Sequence, residues 1–184
     1  MDADFDTAVL GLSLPPAVEQ ALAEAAAQRA DPVRATAALM RAQSLAPEHP
    51  AVLIAFYRHH FYGHRLRLAR DVARRVLAAG AQALGLPTAW REVPQQALPG
   101  ARHEARTRFF LFGLKGYAYL SLRLDDPVEA RDALALLRTL DPDDCVGGAL
   151  LEAVRQRAGS DDAERAPETH ASGAAAWARL APAV

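Results

Sequence analysis

The sequence predicts an all-α fold of about seven helices, and three observations carry that reading. Alanine fills 42 of 184 positions, and Leu, Arg and Glu supply much of the rest. These side chains lose little rotamer freedom in a helix. Period-2 runs of β-branched residues are missing, and Ile54 is the single isoleucine, so the strand signal is absent. Finally, Pro-Pro, Asp-Pro and His-Pro steps recur where apolar periodic segments begin, as helix starts demand.

Each element follows in turn. Residues 1–14 form an N-terminal extension. Pro15-Pro16 opens a helix that runs to about Ala30. Asp31 is an N-cap before an N1 proline, and VRATAALMRAQSL ends near Ala46-Pro47. His49-Pro50 restarts the chain, and AVLIAFYRHHFY has a helical length and an apolar face. Gly63 marks a break. A long amphipathic helix follows, with Leu66, Ala69, Val72, Ala73, Val76 and Leu77 on one side. Residues 85–101 hold three prolines and two glycines, which predicts an inserted loop with one short turn around Trp90. A helix covers about 103–123. Asp126-Pro127 repeats the capped start, and VEARDALALLRTL runs to Asp141-Pro142. Asp144 is the candidate cap of a last helix, and the folded domain is expected over 15–158. Residues 159–184 are read as a mobile tail, in which AAAWARL around Trp177 is a candidate short docking helix.

Composition bounds the function. The net charge is −1, which argues against an indiscriminate nucleic-acid or membrane-surface binder. The single Cys145 cannot form an internal disulfide. Its neighbours Asp141, Asp143 and Asp144 disfavour a thiolate, so it is read as packing. No run of about 18 apolar residues exists, and the acidic N-terminus lacks the basic start of a secretion signal. The expected location is cytoplasmic. No phosphate-cradling glycine loop or nucleophile elbow is present, so the expectation is a protein that is not an enzyme and carries no cofactor.

The two proline-capped helices match each other without gaps. DPVRATAALMRAQSLAP (31–47) and DPVEARDALALLRTLDP (126–142) share eight of 17 positions, including Asp31/Asp126, Pro32/Pro127, Leu39/Leu134 and Pro47/Pro142. One supersecondary unit is therefore used twice. This unit resembles the tetratricopeptide repeat, a helix–turn–helix of 34 residues. Small residues stand at its close-approach positions: Ala23, Ala35 and Ala42 early, Ala69 in a degenerate middle unit, Ala118 and Ala130 later. Pro47 and Pro142 match its closing proline. Leu137 departs from the small-residue pattern, and no repeat has the family's early Trp.

The resemblance implies antiparallel hairpins stacked as a short right-handed solenoid with a concave, peptide- or protein-binding face. It places Ile54, Arg58, Phe61 and Tyr62 on that face in the middle unit, and Phe112, Lys115, Tyr119 and Arg123 in the later one. Aromatic anchors and cations dominate binding hot spots, although aromatics equally fill cores.

Charge is uneven along the chain. Residues 58–75 carry six Arg against one Asp, a net of +5, whereas residues 125–164 carry eleven acids against four Arg, a net of −7. The plainer explanation is that the basic middle pairs with the acidic ends inside one fold. The sharper one is that Arg58, Arg65, Lys115 and Arg123 receive an acidic segment of a partner.

Two further classes remain open. His59, His60 and His64 cluster near Gly63, and the i, i+4 spacing of His60 and His64 makes them the candidate metal pair, with His103 approaching only through the fold. Stable sites want three or four ligands, so no metal is expected by default. A structural homo-oligomer, for instance a homodimer, would bury Phe109, Phe110 and Phe112 between copies. Finally, HHFYGHRLRLARDVARRVLAAGAQALGLPTAWREV resembles small repeat proteins of bacterial nitrogen-fixation gene sets. That resemblance implies an adaptor or chaperone for assembly or protection of a metalloenzyme.

Overall fold

The computed structural model describes residues 14–96, 98–101 and 103–165, with side chains of the last helix described to Arg157. The described residues form seven α-helices and no strand: α1 Pro16–Ala27, α2 Pro32–Leu45, α3 Pro50–Tyr62, α4 Leu66–Ala83, α5 Ala105–Arg123, α6 Pro127–Leu140 and α7 Ala149–Arg165. A 3-10 turn, Trp90–Glu92, stands between α4 and α5 where the insert was expected to turn. The expected extension before Leu14 and the Trp177 segment lie outside the described residues. α7 is described to Arg165, beyond the boundary expected near 158.

Local chemistry fixes most starts. Asp31 Oδ1 accepts from the Val33 and Arg34 amides at 3.1 Å each, and Pro32 fills N1, where a missing N–H costs nothing. Asp126 repeats this toward the Glu129 amide at 3.3 Å. His49 caps α3 through Nδ1, which accepts from the Ala51 amide at 3.2 Å. An accepting Nδ1 must be unprotonated, and burial accordingly lowers the His49 pKa. Glu104 caps α5 by accepting from the Thr107 amide. Asp144 caps α7 as expected, accepting from the Gly148 and Ala149 amides.

Each helix packs on its neighbour in the chain, and the closest pairings are α1 with α2, then α3 with α4, α4 with α5, and α5 with α6. α4 belongs to two cores. Val72 and Val76 face a cluster with Val18, Leu39, Leu53 and Phe56, while Ala69, Ala73, Leu77 and Ala81 face another with Phe110, Leu114, Tyr117 and Leu134. The approach of α4 and α5 depends on glycine. A Cβ on Gly80 would lie 3.1 Å from Phe110 Cα, and one on Gly113 would lie 2.9 Å from Val76 Cγ1. The first would press the α5 backbone aside by a few tenths of an ångström, and the second would force the Val76 side chain to shift.

Burial corrects two expectations. Phe109 and Phe110 are buried inside the fold, so they cannot form a face between copies. The small residues of α1 that face α2 are Ala21 and Ala25, whereas Ala23 is exposed. Ala35, Ala42, Ala69, Ala118 and Ala130 are buried as expected.

The insert is tied down. The Leu98 amide donates to the Leu140 carbonyl at 2.9 Å, joining the insert to the end of α6. Arg91 lies 4.4 Å from the Trp90 ring centroid and pairs with Glu129 and Asp132 of α6. Buried Tyr117 donates its hydroxyl to Glu129 and accepts from Arg74 Nε. Basic middle and acidic end therefore meet within the fold, and Arg70–Asp126 at 3.0 Å is a further case.

Candidate functional site

The α3 segment Ile54-x-x-Tyr57-Arg58-x-x-Phe61-Tyr62 presents one helical face, because residues three and four apart lie side by side. Phe112, Lys115, Gly116 and Tyr119 do the same on α5. These faces enclose a cavity of about 360 Å³. Ala73 and Val76 of α4 complete its wall with Gly113, and Gly147, Leu150 and Leu151 close it from the α7 side.

Of the nine residues expected on the groove, Ile54, Arg58, Phe61, Tyr62, Phe112, Lys115 and Tyr119 come together on this cavity. Two do not. Arg65 N-caps α4 and sits against the His59 ring, with its Nε buried. Arg123 donates to the Tyr119 hydroxyl at 2.8 Å and lies 5.8 Å from that ring's centroid, so it stands behind a wall residue.

The lining is aromatic and interlocked. Tyr57 stacks on Phe61 at 5.8 Å between centroids, and Phe61 contacts Tyr119 at 5.8 Å and Tyr62 at 5.4 Å. Gly116 makes room for this, since a Cβ there would lie 3.0 Å from the Tyr57 hydroxyl. Burial, assisted by the neighbouring phenols Tyr119 and Tyr62, pushes the Tyr57 pKa up to about 12. Its hydroxyl is therefore a neutral donor at physiological pH.

Lys115, the chain's one lysine, is half-buried at the α7 end. Its ammonium donates to the Val146 carbonyl at 2.6 Å. Desolvation lowers its pKa, partly offset by the charge of Asp144. Gly147 has φ +73° and lies against this ammonium, where a Cβ would be 3.3 Å from Nζ. Sequence reasoning missed Tyr57, Gly116 and the α7 residues. Tyr57 was legible in principle, being i+3 from Ile54 and i−4 from Phe61. Leu150 and Leu151 were not, because only the tertiary path returns α7 to α3.

The histidines do not form a helical metal pair. α3 ends at Tyr62, and His64 has φ 56° beyond it, so the i, i+4 geometry of His60 and His64 is lost. His59 Nε2 contacts Thr36 Oγ1 at 2.9 Å and the Arg65 guanidinium. Burial and the Arg65 charge lower the pKa of both His59 and His60. Among the described residues, no group of three or more His, Cys, Asp or Glu could hold a metal ion. No described helix is long and apolar enough to cross a membrane.

Fold and site together define an all-α protein of packed helix pairs around an aromatic, cation-bearing hollow. No family model matches the chain, and no solved structure matches it. The chain is 37% identical over 150 residues to the "Uncharacterized 19.8 kDa protein in nifW 5'region" of Azotobacter chroococcum mcd 1. The match covers 80% of this chain and 84% of that one, and the chain belongs to that protein's family.

Proposed function

We propose that this protein is a non-catalytic adaptor or chaperone associated with nitrogen fixation, acting in the cytoplasm of a bacterium and gripping a protein partner in the α3–α5 hollow. The observation that carries the reading is the convergence on one cavity of seven residues that the tetratricopeptide resemblance places on a concave face. The relative's place in the 5' region of nifW supports the nitrogen-fixation setting. The repeated capped unit at α2 and α6, with the α3–α4 pair between them, supports a tetratricopeptide-like stacking. Aromatic rings beside cations suit an acidic, aromatic-bearing segment of a partner.

The test is capture from nitrogen-fixing cells with the native chain and with an Arg58→Gln/Tyr62→Ala double variant. Tyr62 is 64% exposed, so the variant should keep its fold. The expected result is a protein retained by the native chain and lost by the variant. Identical retention by both would reject the hollow as the gripping surface.

A further inference from the structure

The hollow has a chemistry more specific than a protein-binding face requires. Its lining is apolar or aromatic apart from two cations, Arg58 and Lys115, and no Asp or Glu is among the described residues that line it. The volume of about 360 Å³ falls in the roughly 300–1,000 Å³ range of small-molecule sites. The cavity is walled by residues of α3, α4, α5 and α7, which suits a small ligand. An ammonium carries three donors, and the Val146 carbonyl takes one of those on Lys115. Gly147 keeps the approach to that ammonium open, since any side chain there would crowd it. Asp144 is the acid nearest in effect, but its Oδ1 is already engaged by the Gly148 and Ala149 amides.

We propose that this cavity binds a small amphipathic carboxylate of the medium-chain fatty-acid class, with its apolar body among Ile54, Val76, Phe61 and Phe112 and its carboxylate on Lys115. The assignment rests on the reading that the hollow is the protein's working surface, and it names what fills it. Three features act together. The apolar wall gains from covering an alkyl chain. The ammonium supplies a charge-assisted hydrogen bond in a desolvated place, where such a bond is strong. No carboxylate among the described residues lines the cavity, which leaves Asp144, outside the lining, as the acid whose charge reaches Lys115. Lys115 is half-buried and desolvation lowers its pKa, so a carboxylate beside it would favour the charged form.

The experiment is calorimetric titration of the purified full-length chain with decanoate, below its micelle concentration, and with decanol as the same body without charge. Decanoate should bind saturably at one site, and decanol about tenfold more weakly, as one charge-assisted hydrogen bond predicts. Lys115→Met should bring decanoate down to the decanol level while leaving decanol unchanged. Leu150 is 68% exposed at the cavity mouth, so Leu150→Asp keeps the fold and should weaken decanoate selectively. Absence of saturable decanoate binding, equal affinity for decanol, or indifference of decanoate to Leu150→Asp would each overturn the assignment. If the Arg58→Gln/Tyr62→Ala variant still loses its captured protein while decanoate fails to bind, the ligand class alone is wrong. If neither binds, the hollow itself is not the working surface.

Discussion

The two copies of the repeated segment, residues 31–47 and 126–142, give nearly the same helix and different surroundings. α2 and α6 each begin one residue after a capping Asp and each run 14 residues. Equivalent positions are buried in both: Ala35 and Ala130, Ala38 and Ala133, Leu39 and Leu134. Val33 and Val128 are both exposed. The copies diverge at their ends. Leu45 is 56% exposed, whereas its counterpart Leu140 is fully buried. The reason lies outside the segment. The insert bonds its Leu98 amide to the Leu140 carbonyl, and buried Asp141 accepts from the Cys145 and Val146 amides, folding the next loop over the helix end. Residue pattern therefore sets the helix and its inner face, while neighbours decide how deep each position lies. The second copy also anchors the loop that carries Val146 and Gly147 to the cavity, a task the first copy does not have.

The sharpest way to break this comparison is a matched pair of truncations. Leu140→Ala should cost about 2–5 kcal/mol, as for other buried leucines, and Leu45→Ala should stay within about 0.5 kcal/mol. Chemical denaturation reads both, and equal costs would dissolve the contrast. A smaller effect probes the shared feature. Asp31→Ala and Asp126→Ala should each cost about 1 kcal/mol, the usual worth of an N-cap, and their near equality would show that the caps work alike despite different packing.

Acid should separate the copies more gently. His49, His59 and His60 all sit on or beside α3, and their pKa values are lowered from 6.5. Burial is the main cause, with the Arg65 charge adding for His59 and His60. The unfolded chain therefore binds more protons as pH falls through the unfolded value, so this stability is full above about 6.5 and lost as pH drops toward the depressed folded values. His59 joins α3 to α2 through Thr36, and His49 caps α3. Hydrogen exchange at about pH 7.5 and about pH 5 should show α2 and α3 amides losing protection before those of α6. Loss in the reverse order would place the sensitive groups elsewhere.

Much of the fold was legible because its instructions are local. An Asp or His before Pro writes a cap, and the i, i+3, i+4 pattern on α3 and α5 writes a shared face. What failed depended on contacts across the chain. Phe109 and Phe110 look exposed until Gly80 and Gly113 let α4 press against α5. Ala23 lost its place to Ala21 and Ala25, which lie three and seven residues after buried Val18 and share its face of α1. His60 and His64 keep their sequence spacing, but the helix stops between them at Gly63. Of the cations chosen for the groove, Arg65 was taken by His59 and Arg123 by Tyr119, both choices that only folded geometry reveals.

The placement of α4, with Val72 and Val76 on one flank and Ala69, Ala73 and Leu77 on the other, has a consequence for how the molecule comes apart. Neither end can be peeled away without stripping cover from the same rod, so damage at one end is felt at the other. A fragment cut anywhere between α3 and α5 inherits a helix with half of its apolar girdle facing water.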